Sequence, residues 1–256
     1  PLRLVGSEMC IRDRIEIKYI NMASFRKEIL EQIERIDTGR IFTFRDLSFE
    51  TEKTANVAVL LSEQSRKGVL VRVEKGAYYR PKESVQGQGK LPVYQDEQFR
   101  YLTEKLNGYM TGAYVYNKMG LTEQVAKTIT IATPKPARRF HFKNLDIECV
   151  KAYCMDYSDE SLVPYLQLLD AIKDMKRIPG TTEQYIYNQV KSQYFNRYSL
   201  PELGKIVSLA KRYPPRVRKV VADILGDIGQ TVLQMEMAKT LLPTTRFNLD
   251  YQVYKT

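Results

Sequence analysis

Apolar residues recur at helical spacing in two stretches near the start of the chain, over residues 24–37 and 51–67. Each stretch predicts an amphipathic helix, because apolar residues three and four positions apart share one helix face. Thr51 is expected to cap the second helix. Between the two stretches, Thr43 and Asp46 have the spacing of a capping box, which predicts a short additional helix.

The pattern then changes to the short apolar strings VLVRV and AYYR, which predict two β-strands. Gly68 is expected to end the preceding helix, since glycine accepts the left-handed conformation that commonly follows a helix. Glu74, Lys75 and Gly76 predict a tight hairpin turn between the strands. Short helices followed by a hairpin are typical of a winged helix-turn-helix, which places one helix in the major groove of DNA. We predict this domain over residues 22–82.

The second helix has two chemically different faces when it is projected at about 100° per residue. Three apolar residues and one polar residue point inward: Val57, Leu60, Leu61 and Gln64. An apolar residue would suit the position of Gln64 better. The residues expected to point outward are Glu52, Ala55, Asn56, Val59, Ser62 and Arg66.

Basic residues dominate the segment from Arg66 to Lys82, where Glu74 is the only acid among six lysines and arginines. Basic groups along one edge bind DNA because they release counterions from phosphates. An asparagine on the outward helix face can pair with adenine, and Ala or Val can contact a thymine methyl group. The predicted DNA-binding residues are Lys53, Ala55, Asn56, Val59, Ser62, Arg66, Lys67, Arg72, Lys75 and Arg80. The alternative is that these residues form the solvated surface of a basic protein.

The rest of the chain predicts a separate domain. Gly, Pro and polar residues without a period predict a linker over residues 83–95. From Asp96, the pattern predicts a helix, a loop with a short helix over residues 108–122, and a small sheet from the strings KTITIAT, RRFHFK and DIECVK. From Ser161 it is helical. The predicted fold class is therefore α+β: an N-terminal winged helix-turn-helix followed by an α/β domain, residues 96–256, with a small sheet and a helical C-terminal part.

Composition narrows the function classes. The 256 residues carry a formal net charge of +10, with three Cys and one His, His141. We expect no metal and no cofactor, because the three cysteines do not have a zinc-binding spacing and His141 is the only histidine that could join Cys149 and Cys154. We also expect no membrane partner and a cytoplasmic location. No nucleophile-elbow, Walker or zinc-protease motif is present, so an enzyme is not expected. Asp170 and Asp174 are interpreted as the polar face of a helix, in preference to a metal pair.

Residues 1–14, PLRLVGSEMCIRDR, contain a string that resembles translated sequencing-adapter read-through. We therefore expect residues 1–21 to be a non-native leader and Met22 to be the native start. The alternative is a genuine basic N-terminal arm.

Three strings carry a resemblance to a known family: KGVLVRVEKGAYYRP, GYMTGAYVYNKMGLTEQVAKTITIAT and LLDAIKDMKRIPG. Together they resemble the AbiEi-like antitoxins of bacterial type IV, or abortive-infection, toxin–antitoxin systems, over Met22 to about Asn196. The resemblance implies a winged helix and an antitoxin domain. It implies a phage-defence repressor that autoregulates its operon at inverted repeats of operator DNA. It also implies that the protein counters a nucleotidyltransferase-like toxin without forming a stable complex with it.

The resemblance also suggests where an antitoxin surface lies. The most specific run of the resemblance is Gly108 to Thr122, and its candidate surface contacts are Tyr116 and Asn117. The candidate antitoxin surface also includes Arg138 and Arg139, which lie on a basic predicted strand. A purely structural role is the alternative for these residues. For the whole chain, the alternative function is a winged-helix protein-interaction module without antitoxin activity.

Overall fold

The computed structural model describes residues 22–83, 89–154 and 159–252. The predicted leader, residues 1–21, and part of the predicted linker lie outside the described residues. The chain is α+β and divides into two compact units, the first ending at Tyr101 and the second beginning at Leu102. Within the described ranges, no helix has the length and apolar character that crossing a membrane requires.

The first unit combines helices with a three-stranded antiparallel sheet of order β1–β3–β2. Its elements are helix α1 over residues 22–35, strand β1 (Ile41–Thr43), 3-10 turns at Phe44–Asp46 and Thr51–Lys53, helix α2 (Thr54–Arg66), and strands β2 (Val71–Glu74) and β3 (Ala77–Tyr79). Helix α3 (Gln95–Leu106) follows. The expected order of helices and hairpin is present, and β1 is an additional strand that pairs with β3.

Two of the expected helix signals have different outcomes. The capping box of Thr43 and Asp46 is confirmed, and the Thr43 backbone N–H donates to Asp46 Oδ2 at 2.7 Å. Thr51 was expected to be an N-cap, which is wrong: it lies inside a 3-10 turn whose N-cap is Glu50. The Thr51 carbonyl instead accepts from the Thr54 hydroxyl. The α-helix begins at Thr54 with Lys53 as its N-cap, two residues later than expected.

The end of α2 and the hairpin turn follow the glycine signals. Gly68 has φ +75°, which turns the chain back so that the N–H groups of Val69 and Leu70 both donate to the Gln64 carbonyl, at 3.0 and 3.3 Å. Gly76 has φ +81° in the β2–β3 turn. Both positions lie in the left-handed region, where a side chain costs about 1–2 kcal/mol.

The inward face of α2 is confirmed, because Val57, Leu60, Leu61 and Gln64 are all buried. The three apolar side chains pack in one cluster with residues of α1, β1 and β3. The first unit also continues beyond the expected linker. Arg100 donates to the Ile41 carbonyl at 2.9 Å, and Glu97 accepts from the Ile41 N–H at 2.7 Å.

The second unit contains a four-stranded sheet of order β4–β5–β7–β6, formed by β4 (Tyr109–Thr111), β5 (Thr128–Thr133), β6 (Arg138–Phe142) and β7 (Leu145–Lys151). Strands β5 and β7 are parallel, whereas the other neighbouring pairs are antiparallel. The three predicted strands are confirmed. Strand β4 lies where a loop was predicted, so that part of the prediction is wrong. Three residues are too few to show the alternation of apolar and polar positions that indicates a strand.

The helices of the second unit pack against one another and against the sheet to form a large hydrophobic core. Its helices are α4 (Ala113–Lys118), α5 (Val163–Asp174), α6 (Glu183–Val190) with a π-helical extension (Lys191–Phe195), α7 (Leu200–Ala210), α8 (Pro215–Asp227) and α9 (Thr231–Ala238). One cluster of buried residues extends from Tyr109 to Met237. The predicted polar face of α5 is wrong for Asp170, which lies within this core at 1% exposure.

Candidate functional site

The outward face of helix α2 is the first candidate surface. Glu52 before the helix and Ala55, Asn56, Val59, Ser62 and Arg66 on it are all exposed, which confirms the predicted orientation. Val59 is 54% exposed although it is apolar. The surface therefore offers a carboxylate, an amide, a hydroxyl, apolar groups and a guanidinium to solvent. Side chains of these types are those that read base edges in a DNA groove.

The exposed basic residues continue from this face into the hairpin. Lys67 follows the helix, Arg72 lies on β2 and Lys75 lies in the turn, and all three are exposed. Nε of Arg72 donates to the Glu74 carbonyl at 3.2 Å, which orients the guanidinium along the hairpin. A positive edge of this kind attracts phosphates.

Glu63, the acidic residue of α2, forms an ion pair with Arg26 of α1. Glu63 accepts from Arg26 on α1 at 2.5 Å. The hydrogen bond from Arg26, with the charges of Lys67 and Arg66, lowers the pKa of Glu63 below its ordinary value. The carboxylate thus connects α1 to α2, and its charge is balanced by cations on both helices.

Two of the residues that are predicted to contact DNA have partners within the protein. The guanidinium of Arg80 is half-buried and donates to the Ile36 carbonyl beyond the end of α1. Lys53 pairs with Glu50 at 2.8 Å and lies 5.1 Å from the centre of the Phe25 ring.

The residues of the predicted antitoxin surface lie in the second unit and do not form one exposed patch. Tyr116 is 3% exposed, and its hydroxyl donates to Asp174 at 2.8 Å, so its prediction as a surface contact is wrong. The Asn117 amide donates to the Thr122 carbonyl at 3.0 Å. Arg138 and Arg139 are exposed on β6, and Arg139 pairs with Glu148 of β7 at 2.6 Å.

The structure also shows a basic cleft of about 640 Å³ in the second unit, which the sequence did not indicate. We call it the β7–α5 cleft. Its walls come from the β4–α4 junction, the β5 and β7 strands, the end of α5 with the turn after it, and Arg216 of α8. The lining residues are Thr111, Gly112, Ala113, Tyr116, Thr130, Glu148, Val150, Lys151, Tyr153, Lys173, Asp174, Lys176, Arg177, Ile178, Pro179 and Arg216.

A buried hydrogen-bond network around Asp170 adjoins this cleft. Its carboxylate accepts from the hydroxyls of Tyr109 at 3.0 Å, Thr111 at 2.9 Å and Tyr213 at 3.3 Å. The ammonium of Lys173 donates to it at 3.0 Å and lies 3.6 Å from Asp174. A buried carboxylate needs such partners, because the loss of its hydration is otherwise uncompensated.

This network changes the proton affinities of its members. Burial of Lys173 opposes its charge, but the carboxylates of Asp170 and Asp174 outweigh that effect and raise its pKa. Burial, together with the negative charge of Asp170, raises the pKa of both Tyr109 and Tyr213 well above the ordinary tyrosine value. The tyrosines therefore stay protonated and act as hydrogen-bond donors.

The sequence contains one signal for this region. Asp170 lies one helical turn before the adjacent residues Lys173 and Asp174, and Lys176 and Arg177 follow, so the sequence shows a charge cluster at the end of α5. The burial of Asp170 was not visible. In the parts of the chain that the structure covers, no group of three or more His, Cys, Asp or Glu residues could hold a metal ion. Cys149 and Cys154 are buried free thiols.

Comparisons with known proteins place the chain in a family. The chain is similar to a crystal structure of the RV2827C protein from Mycobacterium tuberculosis. The alignment covers 85% of this chain and 81% of the RV2827C chain, with a TM-score of 0.38 and 14% sequence identity. No curated protein matches the chain. A family model, described as a family of unknown function (DUF6088), matches residues 28–176, which is more than half of the chain. The chain therefore belongs to the DUF6088 family.

Proposed function

We propose that the chain is a DNA-binding transcriptional repressor whose first unit is a winged helix-turn-helix. In this proposal α2 enters the major groove and the β2–β3 hairpin is the wing that lies on the phosphates. One observation carries it: the outward face of α2 is exposed, with polar and apolar groups, and it continues into an exposed basic hairpin, while the opposite face is buried in the core.

Sequence reading is assigned to the middle of the α2 face. The Asn56 amide has both a donor and an acceptor, and it pairs with the two polar groups that adenine presents in the major groove. Val59, one helical turn later, contacts a thymine methyl group. A bidentate pair of the Asn56 kind is worth about 1–3 kcal/mol of discrimination against other bases.

Affinity is assigned to the flanking cations. Lys67, Arg72 and Lys75 contact phosphates, which position the protein without reading sequence. Arg80 is excluded from this set because its guanidinium is held at the Ile36 carbonyl. Lys53 is left out of this set because it already pairs with Glu50 at 2.8 Å.

We extend the proposal to antitoxin activity on the strength of the sequence resemblance. The protein then acts in the bacterial cytoplasm, represses its own operon at inverted repeats, and counters a nucleotidyltransferase-like toxin without a stable complex. Arg138 and Arg139 remain the exposed candidates for this activity. Tyr116 has the structural role of donating a hydrogen bond to Asp174.

The DNA-reading role is tested by Asn56→Ala in binding titrations on the DNA upstream of the gene and on random duplexes. We expect a loss of about 1–3 kcal/mol on the upstream DNA and little change on random DNA. Asn188→Ala is the matched control, because Asn188 is an exposed helical asparagine of the second unit. Equal losses on both duplexes would contradict the reading role, and failure of the intact chain to bind either duplex would contradict the winged-helix proposal.

The antitoxin role is tested by co-expression with the nucleotidyltransferase-like toxin that the proposal expects to be encoded beside the gene. The Arg72→Ala/Lys75→Ala variant, expressed from an independent promoter, is expected to restore growth as well as the unmodified chain does, since both substitutions lie in the proposed wing. A chain that binds the operator but leaves growth arrested would contradict the antitoxin role and leave the repressor role standing.

A further inference from the structure

We propose that the β7–α5 cleft of the second unit binds a nucleoside phosphate. A volume of about 640 Å³ lies within the range of about 300–1,000 Å³ that small-molecule sites occupy. The proposal concerns a site separate from the α2 face and does not depend on DNA binding.

The charges of the cleft favour a ligand with several negative charges. Its lining includes five cations, Lys151, Lys173, Lys176, Arg177 and Arg216, against two acids, Glu148 and Asp174. Both acids are already engaged, because Glu148 pairs with Arg139 at 2.6 Å, and Asp174 accepts from Tyr116 at 2.8 Å and lies 3.6 Å from Lys173. Neither carboxylate therefore compensates the remaining cations.

Among these cations, two have no ion-pair partner within residues 22–83, 89–154 and 159–252. Lys173 is held by Asp170 and Asp174, and Glu183 serves both Lys176 at 3.6 Å and Arg216 at 2.6 Å. Lys151, at the end of β7, and Arg177, in the turn after α5, are exposed and remain uncompensated. A phosphate group suits such a pair, since guanidinium and ammonium groups both bind phosphate oxygens through charge-assisted hydrogen bonds.

The cleft also offers an apolar surface beside these cations, which favours a nucleoside phosphate over a free anion. Ala113, Val150 and Pro179 contribute to the lining. Tyr153 is 38% exposed at the cleft, and its ring stacks on Tyr213 with 4.9 Å between the ring centres. Tyr213 is fixed in turn by its hydrogen bond to Asp170, so the aromatic surface is held rigidly. Pockets that combine apolar walls with a few fixed polar groups are typical of cofactor-sized ligands.

The experiment is calorimetric titration of the full chain with adenosine triphosphate, guanosine triphosphate, pyrophosphate and adenosine. We expect a nucleoside triphosphate to bind more tightly than pyrophosphate, and adenosine alone not to bind. The Lys151→Gln/Arg177→Gln variant is expected to weaken nucleotide binding about a hundredfold, because each lost charge-assisted hydrogen bond accounts for about tenfold. Both side chains are exposed, so the thermal midpoint is expected to stay unchanged.

Two control variants make the result specific. Lys205→Gln/Lys239→Gln removes the same charge from exposed lysines of the second unit outside the cleft, and its affinity is expected to stay within about threefold of the unmodified chain. Arg72→Ala/Lys75→Ala is expected to bind the nucleotide normally, which separates this site from the DNA interface. The proposal is overturned if no nucleotide binds, or if the cleft variant binds as the control does. Equal affinity for pyrophosphate and nucleotide would overturn the nucleoside assignment.

Discussion

Replacing Asp170 by Asn tests whether the buried carboxylate holds the second unit together. The substitution keeps the shape of the side chain but removes the charge that faces the Lys173 ammonium at 3.0 Å. The Asp170 side chain is 2% exposed and that of Lys173 is 19% exposed, so water cannot readily replace the lost partner. Asp174, at 3.6 Å, still compensates part of the lysine charge.

The expected cost follows from these distances. Removing one partner of a buried ion pair costs about 3–5 kcal/mol, and the remaining Asp174 contact places this case at the low end, about 3 kcal/mol. For a domain of this size, that corresponds to a fall of about 6–12 °C in the thermal midpoint. Urea and thermal unfolding of the intact chain, followed by circular dichroism, measure both quantities.

Two further variants show whether the orphaned lysine is the cause. Adding Lys173→Met to Asp170→Asn is expected to recover about 2 kcal/mol, because it removes the uncompensated ammonium. Asp146→Asn is the control, since its side chain is 55% exposed beside His141, and a change within about 0.5 kcal/mol is expected. A cost below about 1 kcal/mol for Asp170→Asn would refute the reasoning.

Two other predictions concern backbone and protonation. Gly204→Ala in α7 is expected to raise the free energy of unfolding by about 0.5–1 kcal/mol, because an added Cβ contacts nothing within 4 Å. Gly112→Ala is expected to lower it, since φ at Gly112 is +77° and the added Cβ would lie 2.7 Å from Thr130. Equal thermal midpoints for the two variants would contradict this contrast. The raised pKa values of Lys173, Tyr109 and Tyr213 favour the protonated forms in the folded state, so their stabilisation is complete below the ordinary tyrosine value of 10.0 and is lost as the pH rises above it. The thermal midpoint should fall in that alkaline range together with a cooperative rise in tyrosinate absorbance, and a constant midpoint there would contradict the account.

The sequence predicted the local features of the first unit well, because they depend on neighbouring residues. The inward face of α2 follows from the spacing of Val57, Leu60 and Leu61, and the hairpin turn follows from the conformational freedom of Gly76. Gln64 was recognised as an unusual inward residue, and it is buried at 8% exposure. The position of Thr51 was misjudged because a 3-10 turn precedes the α-helix, and both conformations accept the same residues.

The second unit was less predictable, since its special features arise between segments that are distant in the chain. An aspartate one helical turn before a lysine looks like half of a solvated ion pair. Contacts from distant segments, with Tyr109 and Thr111 of β4 and with Tyr213 after α7, surround Asp170 in the folded chain. The β7–α5 cleft is likewise formed where the end of a strand lies beside the end of a helix. The hydrophobic periodicity of the sequence does not show which segments lie side by side. Tyr116 was assigned to a surface on the family resemblance alone, and its burial arises from the packing of α4 against α5, which that resemblance does not describe.

The most direct test of the central claim is the salt dependence of DNA binding by the intact chain and by Arg72→Ala/Lys75→Ala. The matched control is Lys27→Ala/Arg35→Ala, which removes two exposed cations from α1. If the β2–β3 hairpin lies on phosphates, the slope of log affinity against log salt falls by about two in the hairpin variant, for upstream and random duplexes alike, and is unchanged in the control. An unchanged affinity and slope in the hairpin variant would contradict the proposed wing.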